Sequence, residues 1–369
     1  TKLYVKAKII KEDGTKIAKD DPVATVNLTL HSMWSQVDIK ISGHSMSLSD
    51  NSYPYKSYFQ TLLKTSSDVK ESQLCAQMYF NDDGDKEKVS TNIGCVKRLA
   101  LFSESSSVEM EGPLLEDICQ TSRYILNNTQ IEIKLFRSRP EFVIMTENDE
   151  KYQLHIEDIC LKACYIDVNP GVITGHAEGL RKSNAIYPFV KVQMKSFHIS
   201  TGARNFNWDN LFNTECPTKV LVAFVESDSF SGNFKKNPFN FQHFDLSEIE
   251  LCCDGTSVPS RPMKVNFDGE GREVVTPFLR LHECLGGNCG PSIFGSGLTM
   301  KKFANGYTIY SFPVYGGGGE GNFIEIKKSA NVRIQGTFSK PLSKAVTAVI
   351  YGEFPSIAEI EDTRNVIVN

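Results

Sequence analysis

Polar and apolar residues alternate from the first positions of the chain: Leu3, Val5, Ala7 and Ile9 are separated by Tyr4, Lys6 and Lys8. Successive side chains of a strand point to opposite faces, so this pattern predicts a strand with one buried and one wet face. Asp13-Gly14 then predicts a turn. A second alternating stretch sets Val37, Ile39 and Ile41 against Asp38, Lys40 and Ser42 and runs into Gly43. The period then lengthens. Tyr55, Tyr58, Phe59, Leu62 and Leu63 recur at helical spacing just after Pro54 and predict an amphipathic helix. A short helix is expected from Asp68, with Asp68 as its cap and Glu71 three positions on.

Residues 89–168 read almost wholly as strand, with Ile131, Ile133 and Leu135 alternating with Glu132, Lys134 and Phe136, and with further runs from Glu141 to Thr146 and from Tyr152 to Val168. In the last run the apolar phase changes between Ile156 and Ile159, which predicts a bulge or a bend from one sheet to another. Asn169 as cap, Pro170 in the first turn, and Ile173, Ala177 and Leu180 on one face predict a helix over 170–182 that connects two domains. Lys219 to Val225 is nearly all apolar, as expected of an inner strand covered on both faces. Strands are expected again from Tyr307 to Phe312, Asn331 to Phe338 and Ala345 to Phe354, with loops rich in Gly and Pro over 284–298 and 313–322.

One stretch is met twice. Shifted by 212 positions, His31, Ser35, Gly43 and Ser45 fall on His243, Ser247, Gly255 and Ser257, and Gln36-Val37-Asp38-Ile39 falls on Glu248-Ile249-Glu250-Leu251 in the same phase. Both copies read as a strand entering a glycine turn. Many short strands, close turn signals, few helices and this echo predict an all-β chain of two tandem jelly-roll β-sandwich domains with a few short helices. The first is expected over 1–182, with the connector helix at its end, and the second over 183–369.

Composition leaves that picture in place. The 369 residues fit two domains, and 40% hydrophobic and 23% charged residues are ordinary for a globular chain. A net charge of −4 offers no general attraction to nucleic acid or anionic membrane. No apolar run approaches the roughly 18 residues of a membrane span. The chain opens without Met inside a strand, so a preceding segment is expected. Ten cysteines show no C-x-x-C pair; Cys160 and Cys164 are expected in one strand, too far apart to bridge, and Cys252 and Cys253 on opposite faces. Mostly free, buried thiols in a reducing compartment follow. The sequons at Asn27 and Asn127 then carry no glycan.

Candidate chemistry is sparse. Gly43-His44-Ser45-Met46-Ser47 has most of a nucleophile elbow, but Ser47 replaces the final Gly and Leu-Ser-Asp-Asn follows where a helix should begin. Gly316, Gly318 and Gly321 match G-x-G-x-x-G, yet Asn322 to Lys328 reads as a strand and offers no helix N-terminus to a phosphate. Seven dispersed histidines lack the H-x-H pair of a metal-binding cupin, and His282-Glu283-Cys284 with Cys289 lacks zinc spacing. Lysine pairs at 235, 301 and 327 have carboxylates nearby and read as solvated surface. Catalytic, cofactor-binding and metal-ligating residues are therefore all expected to be none.

The chain also resembles the double jelly-roll major capsid proteins of Polinton (Maverick) elements and adintoviruses. The resemblance rests on Leu30-His31-Ser32-Met33-Trp34-Ser35-Gln36-Val37-Asp38, Asn51-Ser52-Tyr53-Pro54-Tyr55-Lys56-Ser57-Tyr58, Asn237-Pro238-Phe239-Asn240-Phe241, Asn305-Gly306-Tyr307 and Val349-Ile350-Tyr351-Gly352-Glu353-Phe354. It implies a structural, non-enzymatic coat protein without cofactors. Its homotrimers would present six rolls in a nearly hexagonal outline and tile an icosahedral shell. Its partners would be itself, neighbouring capsomers, and penton and other minor capsid proteins, without sequence-specific nucleic-acid binding or a membrane span. It would reside in the virion after synthesis and assembly inside the host cell. The family places long loops at the outer end, for which 81–95, 284–298 and 313–322 are candidates. It usually carries further residues before the first strand, where this chain departs from it. The alternatives are a host-captured, lectin-like binding module on the same fold, without shell formation, and a metal-dependent jelly-roll enzyme.

Overall fold

The computed structural model describes residues 1–212, 215–268, 273–285, 295–314 and 329–368. The first half contributes strands β1 (Lys2–Lys11), β2 (Val23–Thr25), β3 (Trp34–Ile41), β4 (His44–Ser45), β5 (Val108–Pro113), β6 (Ile131–Arg137), β7 (Ile144–Thr146) and β8 (Tyr152–Lys162). They pair antiparallel as β5-β1-β8, β4-β3-β6 and β2-β7. The second half contributes β9 (Ala185–Ile199), β10 (Asn205–Trp208), β11 (Lys219–Glu226), β12 (Leu246–Cys253), β13 (Thr256–Lys264), β14 (Ile309–Pro313), β15 (Val332–Phe338), β16 (Val346–Ile360) and β17 (Val366–Val368). Here the sheet β10-β15-β12-β13 faces a sheet in which β9 and β11 flank β16, β14 lies beyond β11, and β17 joins the far end of β16. This interleaving of early and late strands in two sheets is that of a jelly roll.

The alternation seen in the sequence becomes burial. Leu3, Val5, Ala7 and Ile9 of β1 are at most 1% exposed. In β11 the two faces feed two different cores: Val220, Val222 and Phe224 pack inside the second sandwich, while Leu221, Ala223 and Val225 join the core of the first half. In β16 Ala348 and Ile350 point one way and Val349 and Tyr351 the other. The β9-β16-β11-β14 sheet is thus a wall shared by two cores, which is why Lys219 to Val225 has no polar face.

The 212-residue echo is present in the backbone. In the first copy the β3–β6 register shifts between Trp34 and Gln36; in the second the β12–β15 register shifts between Leu246 and Glu248. The serine at each shift donates to the partner strand, Ser35 Oγ to the Phe136 carbonyl at 3.3 Å and Ser247 Oγ to the Thr337 carbonyl at 2.8 Å. Both strands then turn through two left-handed residues, Ser42-Gly43 (φ 48° and 82°) and Asp254-Gly255 (φ 47° and 79°). Glycine takes the second position of such a turn at no steric cost.

Other expectations need correction. Residues 89–168 are not nearly all strand: a helix spans Ile93–Phe102, capped by Asn92, whose side chain accepts from Gly94 N at 3.1 Å. Glu141 to Thr146 divides into a helical turn, Pro140–Val143, and the short β7, because Pro140 presets the first turn. The helix near 68 spans Ser67–Glu71 with Ser66 at its N-cap and no side-chain cap, so Asp68 lies inside it. The strand from Tyr152 ends at Lys162, leaving Cys164 outside it. Its phase change is a bulge at Glu157, skipped between the pairs Lys6–Asp158 and Ala7–Ile156. The connector helix spans Pro170–Leu180, and Asn169 accepts from Gly171 N at 2.9 Å. No disulfide joins the nine described cysteines, but Cys75, Cys160 and Cys164 are exposed rather than buried.

Candidate functional site

A dense set of specific contacts lies where the two halves of the chain meet. The helix Tyr53–Lys64 begins with Pro54 in its first turn, and Tyr53 to Leu63 are all buried. Tyr58 stacks on Phe239 at 4.1 Å, Phe59 on Phe241 at 5.3 Å, and Tyr55 on Phe230 at 5.3 Å. Phe59 also lies 5.8 Å from Tyr351 on the wall sheet. Aromatic pairs of this kind contribute about 0.5–1.5 kcal/mol each beyond the area they bury.

Buried charge flanks this aromatic layer on two sides. Glu353 of β16 receives Lys64 at 3.0 Å, Lys219 at 2.9 Å and the Tyr351 hydroxyl at 2.7 Å. Burial alone would raise its pKa, but the two lysines outweigh it and hold the carboxyl below its usual range. On the other side Lys56 contacts Glu116 at 2.7 Å and Asp117 at 3.1 Å, while Asp117 accepts from Val192 N of β9 at 2.8 Å. Burial pushes Glu116 up to about 7 in spite of Lys56, with Asp117 adding repulsion.

A third group fastens the segment 81–95 as a clasp across the seam. Arg98, with no exposed surface, holds Asp82 at 2.9 Å and donates to the Thr25 carbonyl at 2.8 Å. The Tyr307 hydroxyl donates to the Asp82 carbonyl at 2.8 Å. Lys86 Nζ sits 3.0 Å over the Tyr307 ring and donates to the Gly306 carbonyl at 2.7 Å. Glu87 accepts from Asn237 N at 2.9 Å and from Asn240 Nδ2 at 2.5 Å. Four of the five segments quoted for the family resemblance, 51–58, 237–241, 305–307 and 349–354, therefore meet at this seam.

The other sequence candidates lie apart. His44 and Ser45 form β4; His44 Nε2 pairs with Asn365 Oδ1 at 2.8 Å, Ser45 Oγ donates to the Ser47 carbonyl at 3.0 Å, and no helix follows the turn. His282, Glu283 and Cys284 end the helix Val275–Cys284, with His282 4.7 Å from the Phe278 ring and the Cys284 thiol pushed up to about 11 by burial. Cys289, Gly316, Gly318, Gly321, the strand expected over 322–328 and the lysine pair at 327 lie outside the described residues, as do most of the loops at 284–298 and 313–322. Lys235 and Lys236 pair with Asp149 and Glu226. Among the described residues no three His, Cys, Asp or Glu side chains gather as a metal site, and no helix is long and apolar enough to cross a membrane.

The two histidines of the repeat also part company. His31 is fully buried between the Tyr53 hydroxyl at 2.9 Å and Gln77 Oε1 at 3.0 Å, and burial lowers its pKa to about 4. His243 stacks on Phe267 at 4.1 Å and accepts from Asp245 N at 3.0 Å. Both act locally, in different surroundings.

Solved structures of the same shape are viral coats. The chain aligns over its whole length with a chain of the Sputnik virophage structure (TM-score 0.60, 11% identity, 81% of that chain). It does so too with the PBCV-1 virus capsid (TM-score 0.56, 9% identity, 89% of that chain) and the mavirus major capsid protein (TM-score 0.53, 12% identity, 83% of that chain). The fold is a double jelly roll. Few helices interrupt its sheets, in keeping with the all-β architecture expected from the sequence. At such identities the double jelly roll is what is shared. An uncharacterised protein of Caenorhabditis elegans is 26% identical over 361 residues, 96% of this chain and 84% of that protein. No family model matches the chain.

Proposed function

We infer that the chain is a structural major capsid protein, not an enzyme, and that three copies form a pseudo-hexagonal capsomer of an icosahedral shell. The observation that carries this reading is the match of the whole chain, both rolls together, to coat subunits of several viruses. The rolls are taken as 1–182 and 183–369. A seam of stacked aromatics and buried charge suits a subunit that must act as one block, because a duplicated block gives a three-fold object six similar edges. Exposed apolar side chains support self-association: Ile159, Leu161, Tyr165, Ile166, Val168, Val172 and Ile173 fall within one stretch of the chain, and each is at least 40% exposed.

Neighbouring capsomers, penton and other minor capsid proteins are the partners, the virion is the location, and the family segments of the sequence favour a Polinton or adintovirus coat. Light scattering coupled to size-exclusion chromatography, followed by electron microscopy, tests the reading. Trimers with a hexagonal outline, or shells, are expected, and a chain that stays monomeric under assembly conditions overturns it. The nematode relative favours a second reading, a host-captured copy with a binding role. Glycan or protein binding without shell formation would select it.

A further inference from the structure

We propose that the protein joins its own two rolls covalently, through an isopeptide bond between the Lys86 side-chain amine and the Asn240 side-chain amide. Three residues supply the chemistry. Lys86 is the nucleophile, Asn240 the electrophile, and Glu87 the group that moves the proton. Lys86 and Asn240 are 6% and 8% exposed. The amine rests on the Tyr307 ring and donates to the Gly306 carbonyl. Among the described residues no carboxylate lies within ion-pair distance of it, in contrast with Lys56, Lys64 and Lys219 at the same seam.

The amine and the amide crowd one small space. A methyl group placed on Gly306 would lie 2.5 Å from Asn240 Oδ1 and 2.7 Å from Lys86 Nζ, so the two side chains face each other across a residue that has none. Gly306 has a φ of 79°, and a side chain there would be both strained and blocked. Glu87 Oε1 is 2.5 Å from Asn240 Nδ2, the nitrogen that must leave. The same residues line a cleft of about 620 Å³ that gives the leaving group a way out.

The reaction is an amide exchange and needs no oxidant or co-reactant. The unprotonated Lys86 Nζ attacks Asn240 Cγ and forms the new C–N bond. Once bonded to Cγ, Nζ lies beside Nδ2, to which Glu87 is hydrogen-bonded; Glu87 takes the proton from the bonded Nζ there and delivers it to Asn240 Nδ2, and the Cγ–Nδ2 bond breaks to release ammonia. Desolvation favours the neutral, nucleophilic amine. Burial accordingly lowers the Lys86 pKa to about 7. The link would tie the clasp of the first roll to the segment that stacks on the helix Tyr53–Lys64.

Mass spectrometry of the intact, denatured full-length chain tests this. The expected mass is that of the sequence less one ammonia, and digestion should yield one branched peptide containing both Lys86 and Asn240. Chain nicked between the two positions should stay joined on a reducing, denaturing gel. Glu87→Gln and Lys86→Arg should both return the full sequence mass, with Lys86→Arg keeping the positive charge over Tyr307, so that loss of the bond is separable from loss of the fold. A wild-type chain at full mass overturns the proposal, as does an ammonia loss that maps to one unbranched peptide. A bond that persists in Glu87→Gln overturns the role given to Glu87.

Discussion

Arg98 offers the sharpest test of how the clasp is held. Its guanidinium has no exposed surface, donates to the carbonyls of Thr25 at 2.8 Å and Phe80 at 3.4 Å, and pairs with Asp82 at 2.9 Å. Arg98→Met keeps the volume and removes the charge. Asp82, 2% exposed, then keeps the weak hydrogen bond from the Asn27 amide at 3.4 Å. Breaking one side of a buried pair costs about 3–5 kcal/mol, whereas replacing both partners by apolar groups is often neutral. Arg98→Met is therefore expected to lower unfolding stability by about 3–5 kcal/mol, and Arg98→Met with Asp82→Leu to recover most of that loss. Urea titration followed by tryptophan fluorescence and circular dichroism measures both, with the two probes checked for coincidence because two cores need not melt together. A loss below about 1 kcal/mol in the single variant, or a double variant no better than the single, would refute the assignment of Asp82 as an ion that needs its partner.

Phe239→Ala should cost about 3–5 kcal/mol, as expected of a buried ring removed from a packed core, and should loosen the seam first, seen as faster amide exchange in the helix Tyr53–Lys64 than in β12. Ser35→Ala and Ser247→Ala should each cost about 0.5–1.5 kcal/mol in thermal or urea melts if the two bulges are equivalent, and a clear loss in one copy alone would argue against equivalence. The pH dependence has two opposed parts. His31 is lowered in the fold from 6.5 to about 4, so its contribution is complete above 6.5 and is lost as pH falls through about 4; His31→Gln should flatten that acid limb of the stability profile. Glu116 is raised from 4.5 to about 7, so its contribution is present below 4.5 and is lost as pH rises through about 7; Glu116→Gln should remove that neutral limb.

What could be read from the sequence follows from where the physics is local. The strand of the first residues, the helix after Pro54, the two-sided apolar strand at 219–225 and the duplicated strand and turn are set by neighbours two to four positions apart. The helix Ile93–Phe102 escapes the pattern because its buried face is carried by Gly94, Cys95 and Arg98, with Phe102 only at its last position, while Ile93, Val96 and Leu101 are at least 43% exposed. Strand β9 escapes because Tyr187 and Phe189 are buried in one phase and Val192 and Met194 in the other. The clasp escapes for a third reason. Asp82, Lys86 and Glu87 look like surface charge until partners from residues 98, 237, 240 and 306 are brought beside them.

The duplication itself explains why the seam could not have been found from either copy. A bulge with a bonded serine and a two-residue glycine turn are backbone devices, needed wherever the same strand must bend, and both copies keep them. The seam differs because there an outer face of a second-half sheet is buried against the first half. The β9-β16-β11-β14 sheet therefore carries Leu221, Ala223, Val349 and Tyr351 on its outer side, whereas the less buried side of β1 carries Tyr4, Lys6 and Lys8. His31 follows the same division, because it sits beside Tyr53 at the foot of the seam helix and must be buried, while His243 serves a half-exposed turn. Symmetry thus accounts for the conserved geometry of the repeat, and its breaking at a single face accounts for the aromatic and charged residues concentrated there.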